Sequence, residues 1–172
     1  TGPNSVRLCE CREQKRVEKL FECSRISPAF RNKTFESFTL ENRPPLTLSM
    51  YEAARDYAER FEELEKQEDN WLVLLGEPGS GKTHLTLAAG NQLIERQKMK
   101  VLYFQHVEGI SELLSLLNKD EDKISEKKSE MKRVPLLIWD DLFKPCGDKQ
   151  FIKSFEIRSA FEVLNFRYLN LM

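Results

Sequence analysis

The chain has 172 residues, 40% apolar and 32% charged, with 27 Lys and Arg against 28 Asp and Glu. That length allows one α/β domain with a real core, and a net charge of −1 argues against a protein that coats nucleic acid over its whole surface. No apolar run approaches the ~18 residues of a membrane span, and the basic, polar N-terminus is unlike a signal peptide.

The charge is unevenly spread. Residues 1–35 carry eight Lys and Arg against four Glu, whereas residues 52–69 carry eight acids against three bases. The stretch "CREQKRVEKLFECS" (11–24) predicts a helix with Arg12, Lys15, Arg16 and Lys19 on one face. Such a stripe is either a solvated face or a surface for nucleic acid or a protein partner. Residues 24–48 hold Pro28, Pro44 and Pro45 and no period, so they predict an extended lead-in that carries Phe35 and Phe38. Ser49 and Glu52 predict a capping box, and Met50, Ala54, Tyr57, Phe61 and Leu64 recur at helical spacing from there.

Next come "WLVLL" (71–75), a predicted strand, and "GEPGSGKTHL" (76–85), which fits G-x-x-x-x-G-K-[ST] without a gap. The helical pattern "HLTLAAGNQLIERQ" follows. Strand, glycine loop and helix are the context a phosphate-binding loop requires. Backbone N–H groups must turn inward around a phosphate, so glycine serves where side chains would intrude. The helix N-terminus adds unpaired N–H groups and a favourable dipole. The expected nucleotide-binding set is Gly76, Glu77, Pro78, Gly79, Ser80, Gly81, Lys82, Thr83 and His84. Lys82 would reach the β- and γ-phosphates of ATP, or the β-phosphate of ADP, and the Thr83 hydroxyl would ligate Mg2+.

"KVLYFQ" (100–105) predicts a second strand, and "VEGISELLSLL" a helix with Ile110, Leu113, Leu114 and Leu117 on one stripe. Residues 118–133, with six bases and five acids, read as a solvated connector. "VPLLIW" (134–139) predicts a fully buried third strand ending in Asp140 and Asp141, and residues 149–169 a final helix. Strands alternating with helices predict an α/β fold with a parallel sheet flanked by helices. Asp140, at the sheet edge where ligands bind, would complete the magnesium shell beside Thr83. Asp141 would orient or deprotonate an attacking water, and with Lys82 it is the expected catalytic pair. A small-molecule kinase is disfavoured: "LFKPCGDKQF" (142–151) lacks the arginines of a kinase lid.

On these segments the chain resembles AAA+ (ASCE-class) P-loop ATPases of the DnaC/DnaI type, the bacterial replicative helicase loaders and their prophage relatives. The resemblance rests on "RNKTFESF", "YEAARDYAERF", "GEPGSGKTHLTLAAGNQLI", "LLIWDDLF" and "EVLNFRY", in that order. It implies an ATPase that helps deliver a hexameric replicative helicase onto single-stranded DNA, with self-association through the AAA+ core. It further implies that Cys9 and Cys11 are the closing half of a zinc module whose other half lies outside this chain, so that zinc belongs only to a longer protein. Cys23 is then a buried thiol and Cys146 an incidental one. On this reading residues 1–30 are a remnant of the cysteine module plus a basic linker helix, and 31–172 are a partial AAA+ core. The fourth and fifth strands and the trans-acting arginine of the family are expected beyond residue 172, which makes hydrolysis by this chain weak or absent. A phosphate loop without a membrane segment points to the cytoplasm, with reduced cysteines. The alternatives are an IstB-like transposition helper ATPase and a nucleic-acid-binding module that holds nucleotide without hydrolysing it.

Overall fold

The computed structural model describes residues 10–68, 70–144 and 154–172. Helix α1 (Glu10–Ser24) is followed by a single 3-10 turn at Pro28–Phe30, then α2 (Pro45–Glu59) and the short α3 (Phe61–Leu64). After the glycine loop come α4 (Lys82–Gln97), β1 (Val101–Gln105), α5 (His106–Leu116), α6 (Glu121–Arg133), β2 (Leu136–Asp140) and α7 (Ser154–Leu169).

β1 and β2 pair in parallel, with Val101 opposite Leu136 and Gln105 opposite Asp140. Side chains alternate across a strand, and here each face meets its own layer of helices. Val101, Tyr103, Leu136 and Ile138 pack with Phe21, Ile26, Leu87, Leu93 and Ile94 from α1, the turn after it and α4. Leu102, Phe104, Leu137 and Trp139 meet α5, α6 and α7 through Ile110, Met131 and Val163. A third cluster joins Phe35 and Phe38 of the lead-in to Met50, Ala54 and Ala58 of α2 and to Leu85, Ala88 and Ala89 of α4. The result is the α/β architecture expected: a parallel sheet between helical layers.

Five expectations need correction. The segment 71–75 is extended but is not a strand of the sheet: among the described residues its backbone makes no hydrogen bond. Leu72 and Leu74 pack against the lead-in cluster, while Val73 and Leu75 are exposed. An open groove of about 900 Å³ separates this segment from β2, so the side chains alternate without a ladder to stabilise them.

The helix expected from Ser49 begins earlier, at Pro45, with Pro44 as N-cap and no side-chain capping bond. Proline's fixed φ and missing N–H suit the first helical position, and this outweighs the Ser49–Glu52 box. The helix also breaks at Arg60 before α3. Residues 118–133 are not a loose connector but contain α6, started by the Asp120 side chain accepting from the Lys123 N–H at 3.0 Å. Its buried Ile124 and Met131 lie two turns apart, the minimum stripe that can dock so polar a helix. Strand β2 is only partly buried, at Leu136 and Ile138, because the groove leaves its other edge open.

α1 behaves as its pattern predicted. Arg12, Lys15, Arg16 and Lys19 are exposed, Phe21 is buried, and Val17 and Leu20 pack against the core. Cys23 is exposed rather than buried, because it falls on the solvent side of the helix that Phe21 and Ser24 anchor. Cys11 is exposed on the first turn, while Cys9 and Cys146 lie outside the described residues. Among the described residues no helix is long and apolar enough to cross a membrane.

Candidate nucleotide site

The loop is shaped by its own residue types. Glu77 to Ser80 form a tight turn closed by the Ser80 N–H donating to the Glu77 carbonyl at 3.2 Å. Pro78 presets the first central position, and Gly79 takes φ +83°, a combination that suits proline followed by glycine. Gly81 caps α4 with φ +98° and ψ 9°. A Cβ there would sit 2.5 Å from the Phe38 ring, so both backbone and space demand glycine. No side chain caps the N-terminus of α4, which leaves its first N–H groups to an outside acceptor.

Lys82 Nζ folds over the loop, donating to the carbonyls of Gly76 at 2.8 Å and Glu77 at 3.0 Å. It also reaches the Ser80 hydroxyl at 3.5 Å, and an ammonium with these neutral acceptors is poised to exchange them for a phosphate oxygen, a charge-assisted and stronger contact.

The lead-in braces the loop from outside. Arg43 Nη1 donates to the Gly79 carbonyl at 3.0 Å and lies over the Phe38 ring. Phe38 meets the His84 ring edge-on at 5.1 Å. His84 Nε2 lies 2.9 Å from the Thr34 carbonyl and 3.2 Å from Ser37 Oγ. A carbonyl only accepts, so Nε2 carries the proton in that contact. The His84 ring therefore holds the lead-in, and what it can offer a ligand is its backbone N–H. Phe35 and Phe38, at 4% and 7% exposure, anchor this segment to the core.

Thr83 and Asp140 are 57 residues apart in the chain and meet at the sheet edge. The Thr83 hydroxyl donates to the Asp140 carboxylate at 3.1 Å (Oδ1) and 3.0 Å (Oδ2). A hydroxyl and a carboxylate are hard oxygen donors of the kind magnesium takes beside nucleotide phosphates, so the pair fits that cation.

Two further donors reach Asp140: the Asp141 N–H at 3.1 Å and the Tyr103 hydroxyl at 2.8 Å. Burial, reinforced by the Asp140 hydrogen bond, pushes the Tyr103 phenol far up, so it stays a donor. Asp141 is exposed in the left-handed region at φ +52°, and its carboxylate accepts from Lys144 Nζ at 2.8 Å. That contact raises the Lys144 pKa.

The structure thus brings Lys82, Thr83 and Asp140 to one place and sets Asp141 one residue further on. Sequence reasoning missed Tyr103 and Arg43. Tyr103 carries a signal, since it puts a polar tip on a buried strand, and a buried phenol needs a partner. Arg43 carries none, because it sits in an aperiodic segment.

A glycine loop, an uncapped helix N-terminus and a threonine–aspartate pair at the end of a parallel strand define an AAA+ ATP-binding domain. The chain belongs to the IstB-like ATP binding protein family, whose profile matches residues 8–170. It is 36% identical over 163 residues to the phage-like element PBSX protein XkdC of Bacillus subtilis, covering 95% of this chain and 60% of that protein. It is 35% identical over 162 residues to the uncharacterized protein YqaM of the same organism, covering 94% and 50%. The replicative helicase loader DnaI of Bacillus subtilis is 26% identical over 130 residues, covering 76% of this chain and 40% of that loader. The chain therefore spans about half to three-fifths of the length of XkdC and YqaM. No solved structure matches it.

Proposed function

We propose that this protein is an ATP-controlled loader that helps place a hexameric replicative helicase on single-stranded DNA. The observation that carries the nucleotide part is the Thr83–Asp140 contact beside the lysine-covered loop. In this reading the N–H groups of residues 79–84 and the Lys82 ammonium bind the phosphates. Thr83 and Asp140 hold magnesium, which when bound draws charge off the phosphate oxygens. Asp141 orients the attacking water and accepts its proton. Before it can do so it must leave Lys144, an exposed pairing worth about 0–1 kcal/mol and so cheaply broken. An arginine from a neighbouring subunit, which self-association would supply, is worth about 10³–10⁵ in rate at such sites, and hydrolysis by this chain alone is correspondingly slow.

The loader part is supported by the likeness to DnaI and by the basic stripe of α1, which is exposed while the opposite face is buried. A second reading, an IstB-like helper of transposition, is favoured by the family profile itself. Co-purification separates them. The full-length protein with ATP should retain the replicative helicase, and the Arg12, Lys15, Arg16 and Lys19→Ser variant should lose it while keeping its DNA affinity. If that variant keeps the helicase, and DNA binding loses salt slope by up to ~3 instead, the stripe serves DNA. Retention of a transposase and not of a helicase would favour the second reading.

A further inference from the structure

We propose that Tyr103 is a positioning residue for the magnesium site, its phenol fixing the Asp140 carboxylate in the orientation that lets it share one cation with Thr83. The proposal rests on the nucleotide-site reading above and adds to it a residue from a strand that no phosphate-loop motif includes.

The donors to Asp140 differ in which of them can move. Asp140 is the last residue of β2, paired with Gln105, and its side chain lies at the edge of the sheet beside the loop. Thr83 straddles both carboxylate oxygens, and its contact must readjust when its hydroxyl takes up a cation. The remaining two donors are fixed. The Asp141 N–H holds Oδ1 from the backbone, and the Tyr103 hydroxyl holds Oδ2 from inside the core. Tyr103 is only 4% exposed and packs edge-on against Phe30, with ring centroids 6.2 Å apart. It is paired in register with Ile138, two residues before Asp140 on the neighbouring strand. Its hydroxyl therefore cannot follow the carboxylate if the carboxylate turns. One oxygen tied to backbone and one to a rigid ring define the carboxylate plane. Outer partners that orient a metal ligand in this way are commonly worth about 10–100-fold in metal affinity.

Tyr103→Phe tests this, because it keeps the ring and removes only the donor. ADP binding by the full protein is measured by titration calorimetry, first in excess chelator and then across a magnesium series. For Tyr103→Phe the magnesium concentration giving half of the added affinity should rise about tenfold, with metal-free ADP affinity within about twofold of wild type. In an Asp140→Asn background the same change should have no further effect, since coupled partners are not additive. An unchanged magnesium midpoint would overturn the proposal. So would an equal loss with and without metal, or an undiminished shift in the Asp140→Asn background. If wild type itself gains no affinity from magnesium, the nucleotide-site reading fails before Tyr103 is tested, so the two failures are distinguishable.

Discussion

Adjacent acids at the end of β2 differ in what surrounds them, and that difference sets their expected behaviour. Asp140 faces Thr83 and Tyr103, whereas Asp141 stands exposed in a left-handed conformation with Lys144. Asp140→Asn should weaken magnesium-dependent nucleotide binding. Asp141→Asn should keep ATP but fail to hydrolyse it in the full-length protein, as a phosphate-release assay would show. Equal loss of nucleotide affinity in both variants would contradict this division.

His106 gives a pH signature at the same scale. It is fully buried, its Nδ1 accepts from Trp139 Nε1 at 3.1 Å, and burial lowers its pKa from 6.5 despite the opposing charges of Glu156 and Asp141. Above pH 6.5 both folded and unfolded states hold it neutral, and its burial contributes in full. As pH falls below that value the unfolded chain takes a proton the folded one refuses, so stability drops toward the lowered folded pKa. Glu36, Asp120 and Glu162 also have lowered values, but their losses begin only near the carboxylate range. Urea midpoints between pH 7.5 and 5.5 should therefore fall in wild type and flatten in His106→Gln. A slope unchanged by the substitution would contradict the assignment.

Among the elements, α7 shows how a pattern can be visible before its reason is. "EVLNFRY" stands out as a motif, yet nothing in it says what Arg167 does. Buried to 6% exposure, Arg167 donates to the carbonyls of Met131, Lys132, Val134 and Pro135 at 2.6–3.4 Å. It thereby closes the C-terminus of α6, where a cation also meets the favourable end of the helix dipole, and ties α6 to the start of β2. Burial holds its pKa down to about 10, and its hydrogen-bond partners among the described residues are these carbonyls, not carboxylates. Arg167→Met would leave those carbonyls without their donor and should cost about 3 kcal/mol, read as a lowered urea midpoint. Arg167→Lys should recover only part, since an ammonium cannot fork across four acceptors.

What was legible at this level followed from local chemistry. The glycine loop, both paired strands, α1 and α5 declare themselves through motif or period. What was not legible depended on distant partners. Residues 71–75 have the composition of a strand, but a strand is made by its neighbour, and the groove beside β2 supplies none. α6 is hidden because two apolar residues in a run of charges leave almost no period. The lead-in has no period at all, and only the burial of Phe35 and Phe38 reveals that it braces the loop.

For the molecule as a whole, one sheet edge gathers the loop lysine, the hydroxyl and the acid, while the basic face of α1 stays in solvent. The proposed function needs both: a nucleotide switch and a surface through which it is read. The switch is the more fundamental, because without nucleotide the loader and transposition readings both lose their energy source. Its direct test is titration of ATP with magnesium into wild type and Lys82→Ala. Wild type should bind, and Lys82→Ala should lose measurable affinity while unfolding at an unchanged temperature, because the Lys82 ammonium is hydrogen-bonded to the loop it covers. A variant binding within about threefold of wild type, a difference of only about 0.65 kcal/mol, would contradict the account.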